Sequence, residues 1–122
     1  MSAFSQLPDF ALQQIWDGIA ARSLHGDRIT LAVVELDPGA IVAEHHHPNE
    51  QLGILLRGAM TFRVGDETRG LGPGGTWRIP ADVPHWAQAG PEGAVVIDVF
   101  SPPRSDWAGF EHLDPRPSRW PG

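Results

Sequence analysis

The sequence predicts an all-β fold, either a sandwich or a small barrel, and three observations lead there. Glycine and proline occupy 14 and 12 of the 122 positions, which excludes the long uninterrupted runs of a helical bundle. Short apolar and β-branched blocks recur along the chain, separated at regular intervals by turn residues. No helical pattern alternates with these blocks, so a parallel sheet built from βαβ units is not expected. The length fits one domain, and a hydrophobic content of 41% can supply its core.

Residues 1–18 show no clean period and read as an N-terminal arm. Leu12, Ile15 and Ile19 could form a helical stripe, but Gly18 and the short length argue against a stable helix. The pattern becomes strand-like at Ile19, turns at His25-Gly26-Asp27, and resumes from Thr30 to Leu36. Asp37-Pro38-Gly39 supplies turn chemistry. A second block, IVAEHHH, breaks at Pro48-Asn49 and continues as QLGILLR until Gly58. AMTFRV then alternates to a turn at Gly65-Asp66, with Met60, Phe62 and Val64 as core candidates. GLGPGG is read as loop, TWRIP as a strand ending near Ala81-Asp82, and His85 to Ala89 as a short strand. After a turn at Gly90 to Gly93, AVVIDVF is the most buried-looking strand. Residues 102–122 hold five prolines and two tryptophans and read as an irregular tail, its tryptophans holding it against the body of residues 19–101.

Composition excludes several classes of function. There is no cysteine, so neither a disulfide nor a thiolate site can form. A net charge of −6 without a basic patch does not suit a nucleic-acid backbone. No apolar run reaches membrane-spanning length, and no basic segment precedes a hydrophobic one at the N-terminus. A cytoplasmic protein with no nucleic-acid or membrane partner is expected.

The histidines carry the first chemical signal. Side chains alternate across a strand, so His45 and His47 share one face and His46 takes the other. An imidazole pair at this spacing, followed by a third ligand beyond a corner, is plausible metal geometry. Gln51 stands there, with Glu50 as its rival. Gly53 shares the parity of Gln51 and leaves room that a side chain would fill. His85, after Pro84 on a later strand, is the fourth candidate. His25, His46 and His112 read as ordinary solvent-facing residues.

These residues resemble a known family. Gly39-(x5)-His45-x-His47-(x3)-Gln51-(x6)-Gly58 is similar to the first motif of the cupins, with Gln51 where that motif usually has Glu. Gly74-(x5)-Pro80-x-Asp82-(x2)-His85 is similar to the second, with Asp82 where Gly is usual and without the later Asn. The resemblance covers residues 19–101. It implies a double-stranded β-helix, a jelly-roll cupin barrel, often dimeric, holding one divalent metal on His45, His47, Gln51 and His85. These four ligands are all neutral, and Zn, Ni, Fe(II), Mn(II) and Co(II) are all open.

A second constellation lies in AVVIDVF. Asp98 shares parity with Ala94, Val96 and Phe100, and a carboxylate within so apolar a strand is costly unless it is paired or ligated. Ser101-Pro102-Pro103 is a stiff connector that could fold Arg104 back over the mouth of the fold. Two readings stand open: a structural Asp98–Arg104 ion pair, or an acid/base carboxylate beside a metal with an arginine for a substrate carboxylate. Asp98-x-Phe100-(x3)-Arg104, with the four metal candidates, resembles the small KdgF-type cupins of pectin and alginate breakdown. That resemblance implies catalytic Asp98, Phe100 and Arg104 and the linearisation, by ring opening and tautomerisation, of unsaturated uronates.

The function expected is therefore a metal-dependent non-redox enzyme, isomerase-like, acting on a small carboxylate-bearing hydroxy- or oxo-acid. An Fe(II)- or Ni(II)-dependent dioxygenase and a non-catalytic metal-containing binding module are the alternatives. A homodimer is also expected, because Val95, Ile97 and Val99 should face outward beside numerous tryptophans. The chain's own tail is the competing cover for that face.

Overall fold

Two long strands organise the molecule, and both bend. The computed structural model describes residues 2–122. Its strands are β1 (Gln13–Trp16), β2 (Ile19–His25), β3 (Thr30–Leu36), β4 (Ile41–His45), β5 (Glu50–Val64), β6 (Glu67–Leu71), β7 (Thr76–Ile79) and β8 (His85–Ser101). Short 3-10 turns lie at Leu7–Asp9 and Ser105–Gly109.

β5 and β8 are antiparallel partners over nearly their whole lengths, from Glu50 opposite Ser101 to Val64 opposite His85. Gly58 and Gly90 to Gly93, expected to end strands, instead lie inside them. Gly58 has φ 88°, and a Cβ on it would collide with the backbone of Gly93 and Ala94. Only glycine fits at this crossing, so the residue that looks like a strand terminator is a bend in a continuous ladder. Register shifts at Leu55/Arg57 and Gly58/Met60 accompany it.

The bend lets one strand pair serve two layers. The second half of β8 and the first half of β5 join β1, β2, β3 and β7; the first half of β8 and the second half of β5 join β4 and β6. The result is an all-β sandwich, and the closed barrel expected from the resemblance is not formed. The hydrogen-bonded path runs β1-β2-β3-β8-β5-β6, with β4 paired only to β8 and β7 only to β5. Closure would require the free edges to pair with one another, but β4 and β7 are short and each has one neighbour. β6, of which only Gly70 and Leu71 fall in the segment read as loop, is an exposed edge strand; its sequence ETRGL has no alternating apolar set to mark it.

The core lies between the layers, where Ala32, Val34 and Leu36 of β3 meet Leu55, Met60 and Phe62 of β5 and Ala87, Ala89, Ala94 and Val96 of β8. The N-terminal segment contributes β1, whose backbone is paired in turn by the tail: Gln14 N–H donates to Glu111 O and Leu113 N–H to Leu12 O. The tail then crosses the outer face of β2 and β3. Glu35, 1% exposed there, pairs with Arg22 at 3.1 Å, Arg116 at 3.0 Å and Arg119 at 3.5 Å. Arg57, opposite Val95, donates to Arg119 O and Pro121 O. Val95 is accordingly buried within the single chain. The outer face that stays apolar and exposed is a row across four strands: Leu24, Leu31, the half-buried Val99, and Leu52. Of the three residues behind the expectation of a homodimer, Val95 is buried and Ile97 and Val99 are half-buried. Among the described residues no helix is long and apolar enough to cross a membrane.

Candidate metal centre and its cavity

Strand pairing assembles the site from distant parts of the chain. β4 on β8 sets His45 opposite His85. β5 on β8 sets Gln51 opposite Phe100, and Gly53 opposite Asp98. His47 lies beyond the end of β4, in the corner leading to β5, where its carbonyl accepts from Asp82 N–H. The ring centroids are 4.3 Å apart for His45 and His85, 4.9 Å for His47 and His85, and 5.5 Å for His45 and His47. One ligand atom from each of the three falls within 4.8 Å of the others. His46 is exposed, its Nδ1 4.0 Å from Asp82 Oδ1.

The three imidazoles are prepared in the same way. Nδ1 of His45, His47 and His85 lies 2.9, 3.0 and 2.9 Å from the carbonyl oxygens of Ala43, Asn49 and Val83. A carbonyl only accepts, so each Nδ1 carries the proton and each Nε2 keeps its lone pair. Burial depresses all three pKa values below the ordinary 6.5, that of His85 to about 4. All three rings are therefore neutral at pH 7.

Gln51 shows that this donor set suits a cation. Its Nε2 donates to Asp98 Oδ1 at 2.9 Å, so its Oε1 faces His47 Nε2 at 3.1 Å. Two lone-pair atoms thus face each other, and a shared positive ion satisfies both. The separation also matches the roughly 3 Å edge between neighbouring ligands, each about 2.1 Å from one ion. Glu50 is exposed, whereas Gln51 is buried.

Asp98 sits behind Gln51, 8% exposed. Its Oδ1 accepts from Gln51 and also from Trp77 Nε1 at 2.9 Å. Burial pushes its carboxyl up to about 6, against the opposing pull of those two donors and of the Arg104 charge. The Asp98–Arg104 ion pair is not formed. Arg104 instead donates from Nε and Nη2 to both carboxylate oxygens of Asp106, at 3.1 and 2.9 Å. Its guanidinium carbon lies 4.8 Å from the ring centroids of both Phe100 and Trp107. A partner two residues away is within easy reach of the short 3-10 turn, while Asp98 is already supplied with donors.

His45, His47, Gln51, His85, Asp98, Phe100 and Arg104 all line one cavity of about 340 Å³. Trp77, which the sequence leaves open between sandwich packing and pocket wall, is both: it stacks on Phe62 at 4.8 Å and holds Asp98. Other walls were not singled out from sequence. Trp107 packs edge-on against Phe100 at 5.2 Å, and Trp16 lies 5.2 Å from His45. Trp107 packs into the core cluster, but nothing in the sequence marks it as a cavity wall.

Comparisons with known proteins agree with this geometry. Residues 32–100 match the family model described as the cupin domain. The chain is 28% identical over 97 residues to the pectin degradation protein KdgF of Dickeya dadantii, covering 78% of this chain and 88% of that protein. It superposes on the structure of KdgF from Halomonas sp. with a TM-score of 0.79 and 30% identity, over 87% of this chain and 98% of that one. An RmlC-like cupin from Shewanella frigidimarina gives a TM-score of 0.80 at 26% identity, over 87% and 96%. With its two-layer fold, its histidine cluster and these relatives, the chain belongs to the cupin family and is related to the KdgF-type pectin degradation proteins.

Proposed function

We propose that this cupin is a metal-dependent, non-redox enzyme that moves a proton on a small hydroxy- or oxo-acid. The observation that carries the reading is Asp98: a buried carboxyl on the cavity wall, one residue removed from the histidines through Gln51. In this reading His45, His47, Gln51 and His85 hold one divalent ion, whose Lewis acidity toward a bound hydroxyl or carbonyl is not offset by any ligand charge. Both hydrogen bonds to Asp98 fall on Oδ1, which leaves Oδ2 to exchange a proton with the ligand. A carboxyl that titrates near neutrality can serve as base and acid in one cycle. Arg104, with Nε and Nη2 committed to Asp106, keeps Nη1 for a substrate carboxylate, and Phe100 forms the wall beneath its guanidinium. Kinship with pectin degradation proteins makes unsaturated uronates the first acids to test, with linearisation as the reaction.

The test is Asp98→Asn. Asparagine Oδ1 can still accept from Gln51 and Trp77, so shape and metal content should persist while proton transfer is lost. Turnover across a panel of unsaturated uronates and other hydroxy- and oxo-acids should fall by about 10²–10⁴-fold. Full turnover by a well-folded, metal-replete variant would sink the acid/base role. Oxygen uptake coupled to product would replace this reading with a dioxygenase.

A further inference from the structure

The cavity is polar at one end only. His45, His47, His85, Gln51 and Asp98 form one contiguous polar cluster, Arg104 lies beside it over Phe100, and the indoles of Trp16 and Trp107, the latter with a buried and unpartnered Nε1, sit at the same end against His45 and Phe100. Beyond them the walls are aliphatic and aromatic, among them Ile19, Val34, Leu36, Val42, Met60 and Phe62. The direction of this chamber follows from strand register. Val96 lies two residues from Asp98 on the same face of β8, and Leu36 is paired with Ala94, two residues further on. At roughly 3.3 Å per residue, the register position of Leu36 lies about 13 Å along β8 from that of Asp98. No side chain along that path offers a donor or an acceptor.

We propose that the ligand of this site is an amphipathic acid: an oxo- or hydroxy-carboxylate head joined to an apolar, ring-sized body. The inference rests on the reading above for its head group, an oxo- or hydroxy-acid at the histidine cluster, and departs from it for the body, ranking uronates below acids with an apolar body. A sugar acid carries hydroxyls around its whole ring, and seating it here would strip those hydroxyls of water against Val34, Met60 and Phe62 without replacing their hydrogen bonds. An aryl or branched aliphatic body loses nothing of that kind and buries apolar surface against the same side chains.

Calorimetric titration of the metal-loaded protein with pyruvate, phenylpyruvate and galacturonate tests this, because the first two share a head and differ only in the body. Phenylpyruvate should bind at least tenfold tighter than pyruvate, and galacturonate no tighter than pyruvate. Ala87→Leu, which adds bulk to the chamber wall, should cancel the advantage of phenylpyruvate while leaving pyruvate affinity and metal content unchanged. Should that variant not fold, Val34→Ala enlarges the chamber instead and should raise the affinity for indole-3-pyruvate relative to phenylpyruvate. Equal affinities for pyruvate and phenylpyruvate, tighter binding of galacturonate, or no binding of phenylpyruvate would each overturn the proposal. Binding is read here without turnover, so tight phenylpyruvate binding by a protein that converts none of the acids would refute the enzymatic reading and uphold the chamber.

Discussion

The indole of Trp77 donates to Asp98 Oδ1 at 2.9 Å across a gap that exists because residue 53 has no side chain. A Cβ at Gly53 would fall on the Trp77 indole and on that carboxylate oxygen. Sequence reasoning expects Gly53 to leave room for a ligand; the space is in fact filled by the hydrogen bond that orients Asp98.

Gly53→Ala should therefore displace Trp77 and free Asp98 from one of its two donors. Overpacking of this kind costs about 1–3 kcal/mol, which denaturant unfolding would measure. Tryptophan emission should shift toward that of a more solvated indole. A variant with wild-type stability and an unchanged spectrum would show that the Trp77–Asp98 contact is dispensable.

Metal content separates the three clustered histidines from their neighbour. Elemental analysis of untagged protein should find close to one divalent ion per chain. His45→Ala and His85→Ala should remove most of it, because each deletes one of three converging ring nitrogens. His46→Ala should retain it, since that ring is exposed and lies beside Asp82. Equal loss in all three variants would contradict the assignment.

Chelator-stripped protein should lose stability on acidification. The pKa values of His45, His47 and His85 lie below their ordinary 6.5 in the fold, that of His85 at about 4. Between pH 6.5 and about 4 the unfolded chain thus binds protons that the folded chain refuses, and stability falls with pH. Asp98 acts in the opposite sense, because its carboxyl, raised from 3.8 to about 6, holds a proton more tightly when folded. Three groups outweigh one. The Tm of the stripped protein should be lower at pH 4.5 than at pH 7.5, and more so in Asp98→Asn, which lacks the opposing group. A Tm that is flat or higher at pH 4.5 would refute this.

Glu35 joins the tail to the sheet through a buried charge cluster. Glu35→Ala would leave Arg22, 3% exposed, without its carboxylate partner. Breaking a buried pair by removing one member costs about 3–5 kcal/mol. Urea unfolding should show a loss of that size, and limited proteolysis should cut within residues 112–122 faster than in the wild type. A loss within experimental error would mean that the tail is held by its backbone contacts alone.

Much of the candidate site was legible in the sequence because alternation along a strand is local. The two-residue side-chain period groups His45 with His47 and separates His46, and it places Asp98 and Phe100 on one face. The same period exposes Glu50 when Gln51 is buried, but it cannot say which of the two faces inward. Strand register decided that, by pairing Gln51 with Phe100. Partner choice was also non-local or ambiguous. Arg104 lies six residues from Asp98 and two from Asp106, and only the folded connector shows that its guanidinium goes to the nearer carboxylate. Gly58 and Gly93 read as strand ends because glycine permits a turn, yet the same freedom permits a bend inside a continuous ladder. Which of these occurs depends on whether a partner strand crosses there, and that is a property of the whole fold. Composition and periodicity therefore determined the all-β class, the histidine grouping and the buried carboxylate. The open two-layer sheet, the Trp77 and Gln51 bonds to Asp98 and the apolar chamber arise from contacts between residues far apart in the chain, and only the tertiary structure decides them.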